Sequence, residues 1–377
     1  MKQYITFGLI ACGLFTCQAF AQTNDSVNLT AAPVAALKDA YAGKFLIGCA
    51  GDLRGFSAAE LENIKTHYNV ITPENSMKPQ PTHPSEDEYN FTTPDALVKW
   101  AGENGLKVWG HTLVWHAQTG RWFFEGGTNG QPVTRELALE RLKKHIMTVA
   151  GRYKGRVIGW DVVNESIADR NAGETENLRN SSWYRVVGPD VLTFAFKWAH
   201  EADPGAQLYY NDYNIEQGAV SNTGKHASSL LLLKRLKAEG APIHGVGIQG
   251  HWHLNTNLED VDQAIENYAS LGLRVAITEL DVTAFGENSG AFPSGEQAAT
   301  MSAAALQKQA DVYARLFQIF KKHEKSIDRV TFWGISDRRS WRARQRPLLF
   351  DAQLQPKPAF EAVVNVGLGK ATTPKSQ

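Results

Sequence analysis

The sequence predicts an α/β fold: a single (β/α)8 TIM barrel with its active site at the C-terminal ends of the strands. Eight short apolar runs alternate with segments of helix length, which is the pattern of repeated β-α units. No linker, charge block or internal repeat divides the chain between Ala36 and Val366. Eight parallel strands that alternate with helices close most economically into one barrel.

The eight apolar runs are the candidate strands of this barrel. They cover Phe45–Ile47, Val70–Thr72, Val108–Gly110, Val157–Val163, Leu208–Tyr210, Val246–Ile248, Val275–Thr278 and Val330–Phe332. Helical periodicity supports the segments between them, because apolar residues recur at steps of three and four. One such segment follows a candidate N-cap at Thr134 and carries Leu142, Ile146, Val149 and Tyr153. A later segment carries Leu306, Ala310, Tyr313, Phe317 and Phe320.

The composition points to a globular protein with a neutral partner. Of the 377 residues 43% are hydrophobic, and the 39 Lys and Arg balance the 39 Asp and Glu. The chain therefore has no basic excess that would indicate nucleic acid or an anionic membrane. We assign residues 36–366 to the catalytic barrel, 22–35 to a flexible N-terminal segment and 367–377 to a flexible tail, and we expect a monomer.

Residues 1–21 have the pattern of a signal peptide. An apolar run over Tyr4–Phe15 precedes Ala19-Phe-Ala21, so we expect cleavage after Ala21 and export to the periplasm or medium. The alternatives are a membrane anchor, although the run is shorter than the roughly 20 residues that a span needs, and lipidation at Cys12. Cys12 and Cys17 lie in the leader, so the mature chain would keep Cys49 and no internal disulfide.

Polar residues follow the second to eighth runs. They are, in order, Pro73-Glu74-Asn75, His111, Asn164-Glu165, Asn211, Gln249 with His251, Glu279 and Trp333. At any single position the alternative, that polarity simply returns at a strand end, is about as probable as function. Because the C-terminal ends of barrel strands share one face, we expect these side chains to converge.

Glu165 and Glu279 are the candidate catalytic pair. Two carboxylates on different strands of one barrel face suit glycosidic bond cleavage, with one protonated to assist the leaving oxygen and one ionised. Taken singly, either glutamate would be read as a solvated carboxylate. Four tryptophans also follow predicted strands, where some could serve as platforms for sugar rings: Trp115, Trp252, Trp333 and Trp341.

Several motifs together resemble glycoside hydrolase family 10. They are ENSMKP from Glu74, GHTLVWH from Gly110, WDVVNE from Trp160, YNDYN from Tyr210, G-x-G-I-Q-x-H from Gly245, ITELD from Ile277 and PLLFDAQLQPKPAF from Pro347. The resemblance runs from about Ala36 to Val364. It implies a retaining endo-β-1,4-xylanase on a (β/α)8 barrel that acts on xylan and xylo-oligosaccharides without a cofactor or metal.

Carried over by position, the resemblance makes Glu165 the general acid/base and Glu279 the nucleophile. Around the sugar at the cleavage point it places Asn164, His111, Trp115, Gln118, Asn211, Gln249 and Trp333, and we add His251 to the residues that bind the substrate. It assigns the next sugar toward the non-reducing end to Glu74, Asn75 and Lys78, and a wall of the cleft to Trp341.

Retention requires the two carboxyl groups to lie roughly 5 to 5.5 Å apart. We also expect a chain from Asp281 through His251 to Glu279 that keeps the nucleophile ionised; alternatively, Asp281 caps the next segment. The rival assignments are a metal-dependent hydrolase that uses His251, His253 and His111, and a sugar-binding protein without catalysis. A dinucleotide loop at Gly245–Gly250 is excluded, because neither a strand before it nor a helix after it is indicated.

The segment DRRSWRARQRPLLF departs from the family pattern. It carries five arginines within nine positions: Arg338, Arg339, Arg342, Arg344 and Arg346. They are either solvated or paired, or they contact acidic decorations on the polymer.

Overall fold

The computed structural model describes Met1 and residues 35–126, 132–170, 173–284 and 301–370. Apart from Met1, the predicted signal peptide lies outside these residues, as do nearly all of the N-terminal segment and the end of the tail. No helix in the described part combines the length and apolar character needed to cross a lipid bilayer.

Nine strands occur in the described residues: β1 Leu46–Ala50, β2 Val70–Thr72, β3 Lys107–Trp115, β4 Gly159–Asn164, β5 Gln207–Asp212, β6 Gly245–Ile248, β7 His251–His253, β8 Arg274–Thr283 and β9 Ile327–Phe332. The α-helices of the same residues are α1 Leu37–Ala40, α2 Ala58–His67, α3 Pro79–Thr82, α4 Thr92–Glu103, α5 Arg135–Arg152, α6 Ser182–Val186, α7 Val191–Ala202, α8 Gly224–Ala238, α9 Leu258–Ser270, α10 Ala303–Lys322 and α11 Pro358–Gly367.

Eight of the strands form a closed parallel barrel, which confirms the predicted fold. β1 pairs with both β2 and β9, and β6 pairs with β8, so the sheet has no free edge at either of its ends. Each of the eight predicted runs overlaps one of these strands. All C-terminal strand ends therefore lie on one face, as the convergence of the polar residues requires.

The structure corrects two details of the strand prediction. β3, β4, β5 and β8 continue past their predicted ends. The residues that lie within strands rather than after them are therefore His111, Asn164, Asn211, Glu279 and Asp281. The chain after β6 turns at Gly250, which has φ +77°, and resumes as β7, which pairs with the end of β8 at His251 and Asp281. A β-carbon at Gly250 would approach Ile277 to 3.0 Å, so the position favours glycine both conformationally and sterically.

The helices pack as their periodicity predicted. Thr134 caps α5 by accepting a hydrogen bond from the Leu137 N–H, and the predicted apolar residues of α5 are buried. In α10 four of the five predicted residues are buried, whereas Leu306 is half-buried.

The glycines of β6 make room inside the barrel, since a β-carbon at Gly247 would lie 2.3 Å from Asn211 Oδ1. Cys49 is buried and unbonded.

A buried histidine pair anchors the segment that follows Lys78. The Nδ1 atoms of His83 and His145 lie 3.2 Å apart, so one ring donates and the other accepts. Both side chains are fully buried, and His83 stacks on Tyr89 with ring centroids 3.8 Å apart. Burial lowers the pKa of His83 to about 4 and that of His145 to about 3. The pair is therefore neutral in the folded protein at neutral pH.

This pair is expected to make the fold sensitive to acid. The unfolded chain protonates His145 near its ordinary pKa of 6.5, whereas the folded chain protonates it only near pH 3. The stabilisation that comes from the neutral ring is therefore fully present above pH 6.5 and is lost as the pH falls toward 3. The slope from one such group is about 1.4 kcal/mol per pH unit. His145→Gln should flatten the pH dependence of the unfolding free energy in this window, whereas the exposed His200→Gln should not. An unchanged slope in the first variant would contradict the assignment.

Candidate active site

A cleft with a cavity of about 480 Å³ opens at the C-terminal face of the barrel. Its lining includes twelve of the predicted residues: Glu74, Asn75, Lys78, His111, Trp115, Asn164, Glu165, Gln249, His251, Glu279, Trp333 and Trp341. Asn211 and Asp281 are fully buried and bond to lining residues from below. The strand ends thus bring together residues that are up to about 270 positions apart in the chain.

Glu165 is held at the end of β4 in a strained backbone conformation. Its φ is +56°, a left-handed value that is costly for a residue with a β-carbon. The Glu165 N–H donates to the Asn211 carbonyl at 2.8 Å, and Arg179 Nε donates to the Glu165 carbonyl at 3.1 Å. Trp115 Nε1 and Gln249 Nε2 each donate to one carboxylate oxygen at 2.9 Å. The carboxyl group therefore has a fixed orientation while part of it stays exposed.

Glu279 lies in β8 and is only 5% exposed. Asn211 Nδ2 lies 2.9 Å from its Oε1, and His251 Nε2 lies 3.2 Å from its Oε2. Thr278 Oγ1 donates to Asn211 Oδ1 at 2.6 Å, which turns the Asn211 amide nitrogen toward Glu279. Burial alone would raise the pKa of Glu279, but the hydrogen bonds and nearby imidazoles of His251 and His111 lower it below its ordinary value. Glu279 is therefore ionised at neutral pH.

His251 bridges two carboxylates. Its Nδ1 lies 2.9 Å from Asp281 Oδ2, and its Nε2 faces Glu279. Burial opposes the charge on the ring, yet Asp281 and Glu279 together raise the pKa of His251 to about 9. The imidazolium therefore stabilises the ionised form of Glu279, and the bridge contributes to stability until the pH rises through about 9.

Replacing His251 by Ala is expected to lower kcat on the order of 10- to 100-fold, the usual effect of losing a group that orients a working residue. Without the imidazolium the pKa of Glu279 rises, so the acid limb of the pH–rate profile should move to higher pH. Kinetics across pH, with circular dichroism to verify folding, measure both effects. His253→Ala is the matched control, because His253 does not line the cleft. A loss of rate with an unmoved acid limb would contradict the role in ionisation.

Asp281 has further partners that the sequence did not predict. Trp341 Nε1 donates to its Oδ2 at 3.0 Å, and Arg342 Nη1 lies 3.3 Å from its Oδ1. Trp341 is nevertheless 58% exposed and presents its ring to the cleft. The wall of the cleft is thus bonded to the same carboxylate that holds His251.

The arginine-rich segment is in part paired. Arg342 bonds to Asp281, and Arg339 makes a bidentate ion pair with Glu60 at 2.6 and 2.9 Å. Arg338 and Arg344 are exposed. Pairing therefore accounts for Arg339 and Arg342, of which only Arg342 lines the cavity that contains Glu165 and Glu279.

His111 and Lys78 are also held in place by contacts with neighbouring side chains. His111 Nδ1 bonds to Asp161 at 2.9 Å, and the same carboxylate receives Trp109 Nε1 at 2.8 Å. Lys78 Nζ donates to Asn75 at 3.0 Å and lies 5.0 Å from the centroid of the Trp115 ring. Burial lowers the pKa of Lys78 from its ordinary value, despite the acids around it.

Two residues named from the sequence lie outside the lining of the cleft. Gln118, assigned to the sugar at the cleavage point, is exposed and absent from the lining of the cleft, and its carbonyl accepts the N–H of Gln80. Its φ of +43° turns the chain at this point. Trp252 is buried and donates to Glu216 at 3.0 Å, so it packs in the core and offers no platform. Alternation in β7 buries Trp252, whereas its neighbours His251 and His253 keep part of their surface exposed.

Three residues of the lining were not predicted: Tyr213, Asn214 and Arg342. Tyr213 and Asn214 belong to YNDYN, which was quoted as a motif, so their position after β5 was a usable signal. Arg179 Nη2 donates to the Tyr213 hydroxyl at 2.9 Å, and Lys225 Nζ lies 3.5 Å from the centroid of the Tyr213 ring. Neither contact could be read from local sequence.

Proteins with similar sequences cover most of this chain. Endo-1,4-beta-xylanase B of Paenibacillus barcinonensis is 41% identical over 88% of this chain and 98% of its own length. Exoglucanase XynX of Acetivibrio thermocellus is 40% identical over 79% of this chain, but the match spans only 26% of that protein.

A solved structure is similar throughout the same region. TsXylA, described as an intracellular xylanase from Thermoanaerobacterium saccharolyticum and crystallised with xylotetraose, superposes with a TM-score of 0.79 at 38% identity. The superposition covers 88% of this chain and 98% of that chain. The family model for glycosyl hydrolase family 10 matches residues 36–366, the range predicted for the barrel. With a closed barrel, two glutamates in the cleft at its C-terminal face and these relatives, the chain belongs to glycosyl hydrolase family 10.

Proposed function

We propose that the protein is a retaining endo-β-1,4-xylanase with Glu279 as nucleophile and Glu165 as general acid/base. The observation that carries the proposal is the contrast between the two carboxyl groups. Both carboxyl groups accept hydrogen bonds at both oxygens, but Glu279 is buried and ionised, whereas Glu165 is partly exposed and lines the cleft. Pairs of carboxyl groups whose surroundings differ in this way divide the acid and nucleophile roles of glycoside hydrolysis.

The first step breaks the glycosidic bond. Glu165 gives its proton to the bridging oxygen, the bond from that oxygen to the anomeric carbon breaks, and a carboxylate oxygen of Glu279 bonds to the carbon. In the second step the Glu165 carboxylate takes a proton from water. The water oxygen then attacks the anomeric carbon, and Glu279 leaves as a carboxylate to regain its hydrogen bonds to Asn211 and His251. Two inversions give net retention, for which we expect a carboxyl separation of roughly 5 to 5.5 Å; one near 9 Å would imply inversion.

The remaining lining residues support a sugar polymer as the substrate. Exposed indole faces such as Trp341 suit the apolar faces of neutral sugars. Glu74, Asn75 and Lys78 form one end of the cleft, where we propose that they hold the next sugar toward the non-reducing end. Burial, reinforced by Asp52, raises the pKa of Glu74.

Cellulose is the second candidate substrate, because a relative that is 40% identical is named an exoglucanase. Hydrolysis rates on xylan and on carboxymethylcellulose, measured side by side with one enzyme preparation, separate the two. We expect xylan to be hydrolysed at least ten times faster, with a mixture of oligosaccharides as early products. Release of disaccharide alone from chain ends, or faster hydrolysis of the cellulose derivative, would contradict the proposal.

We further propose that residues 1–21 direct export and are removed, and that the mature enzyme is a monomer. The support is the apolar run and the Ala19-Phe-Ala21 site. The mass of the protein recovered from its natural host decides the first point. Loss of residues 1–21 is expected, whereas retention of Met1 or a lipid on Cys12 would contradict it. Light scattering of the purified protein decides the second.

A further inference from the structure

A buried arginine crosses the interior of the barrel. Arg329 lies in β9 and is only 2% exposed. Its guanidinium carbon lies 3.4 Å from the centroid of the Trp109 ring on β3 and 5.3 Å from that of the Tyr209 ring on β5. Neither of these strands pairs with β9, whose neighbours are β1 and β8. The side chain therefore reaches from one wall of the barrel toward the opposite wall.

One carboxylate at hydrogen-bond distance balances the charge of Arg329. Its Nη2 lies 3.4 Å from Oδ1 of Asp161, which is only 1% exposed. The carboxyl group of Asp328 is farther away, at 3.9 Å from Nη1, and burial raises its pKa although Arg329 lies beside it. Nε and Nη1 of Arg329 have no hydrogen-bond partner among the described residues. Because an isolated charge is strongly unfavourable at this depth, Arg329 and Asp161 depend on each other.

Asp161 connects this arginine to the cleft. Its Oδ1 also accepts a hydrogen bond from Trp109 Nε1 at 2.8 Å, and its Oδ2 lies 2.9 Å from Nδ1 of His111. A carboxylate can only accept, so Nδ1 of His111 carries the proton and Nε2 is the nitrogen left for the cleft, whose lining includes His111. The same imidazole helps to lower the pKa of Glu279. The contacts thus run from Arg329 through Asp161 to a ring beside the candidate nucleophile.

We infer that Arg329 is a positioning residue for the reaction in the cleft, because it is the buried cation that balances Asp161 while Asp161 holds His111. The inference rests on the proposed function, since His111 affects turnover only where it meets the substrate and Glu279. Without the guanidinium, the charge of Asp161 would be balanced by a proton on the carboxylate or by a second proton on His111. The first change would alter the bond that holds the ring, and the second would place an added positive charge beside Glu279.

The rival explanation is packing, in which Arg329 only fills the space between the Trp109 and Tyr209 rings. Lysine and methionine separate the two explanations, because their side chains have similar lengths and differ in charge. We expect Arg329→Met to lower kcat/KM on an unbranched xylo-oligosaccharide about 10- to 100-fold, the usual effect of losing a group that orients a working residue. Arg329→Lys should keep at least about three times the activity of the Met variant, because it retains a cation beside the buried carboxylate. Circular dichroism and melting temperatures verify folding.

A double-mutant cycle tests whether the effect passes through His111. In the His111→Gln background, Arg329→Met should lower kcat/KM by less than about threefold further, because the effects of residues that act through one another do not add. Arg274→Met is the matched control, since that arginine begins β8 and bonds to the carbonyls of Lys325 and Ile327. Its loss should leave kcat/KM within about twofold in either background.

Equal activity of the Lys and Met variants, or the same fold-loss with and without His111, would restrict Arg329 to packing and overturn the inference. If Arg329→Met does not fold, Arg329→Gln takes its place in the cycle, because it is neutral and can still donate a hydrogen bond. Its loss should then shrink in the His111→Gln background, and an unchanged loss, or no loss in either background, would overturn the inference. Hydrolysis by the unaltered enzyme upholds the proposed function in each of these cases, whereas its absence would defeat both.

Discussion

Glu279→Ala is expected to lower kcat on xylo-oligosaccharides by at least about 10⁴-fold, because the covalent intermediate cannot form without its nucleophile. The fold should survive, because the substitution removes hydrogen bonds to Asn211 and His251 but little apolar packing. Azide can enter the space left by the carboxylate and attack from the same face. With an aryl xylobioside the variant should then produce the α-glycosyl azide, the product of a single inversion.

The isosteric Glu279→Gln variant is the control for this experiment. It keeps the volume of the side chain, so its loss of rate reports the lost charge and nucleophile rather than a cavity. Product stereochemistry, read by NMR, distinguishes this position from the acid/base position. A β-glycosyl azide from the Glu279→Ala protein, or activity within tenfold of the unaltered enzyme, would exclude Glu279 as the nucleophile.

The Glu165→Ala variant should show an effect that depends on the leaving group. For a xylo-oligosaccharide the departing oxygen needs a proton, so kcat/KM should fall about 10²- to 10⁴-fold. For a dinitrophenyl xylobioside the departing phenolate needs no proton, so kcat/KM should fall less than about tenfold. Azide should raise kcat on the aryl substrate and give the β-glycosyl azide, because it attacks the glycosyl-enzyme on Glu279 from the opposite face.

Trp115→Phe serves as the control for Glu165. It removes the hydrogen bond from Trp115 Nε1 to Glu165 Oε2 but keeps the carboxyl group, so it should lower the rate modestly and equally for both leaving groups. A Glu165→Ala protein that loses the same factor on both substrates would contradict general acid catalysis by Glu165.

Much of the site followed from the sequence because barrel topology converts position along the chain into position in space. A residue just after a parallel strand must lie on the C-terminal face, so Asn164, Glu165 and Gln249 could be placed without coordinates. The motifs then added Glu74 and Lys78, whose residue types alone indicate only a surface. The same logic would also have placed Tyr213 and Asn214 there, but they were not singled out.

The remaining features depend on contacts between distant segments. The break at Gly250 requires a left-handed backbone that a short apolar run does not reveal. The bond from Trp341 to Asp281 joins residues 60 positions apart, and the pairing of Arg339 with Glu60 joins residues 279 apart. The role of Gln118 at the sugar stays a prediction, because its side chain is exposed and is not among those that line the cleft.

The trapped intermediate tests the central claim most directly. A xylobioside with fluorine at C2 and a dinitrophenolate leaving group slows both steps, but the good leaving group lets the first proceed, so the glycosyl-enzyme should accumulate. Mass spectrometry of the proteolysed protein should find one added xylobiosyl group with a single fluorine on the peptide that contains Glu279. The Glu279→Gln protein should carry none. A label on another residue would contradict a retaining mechanism through Glu279. So would complete inhibition of the enzyme without any covalent addition to its mass.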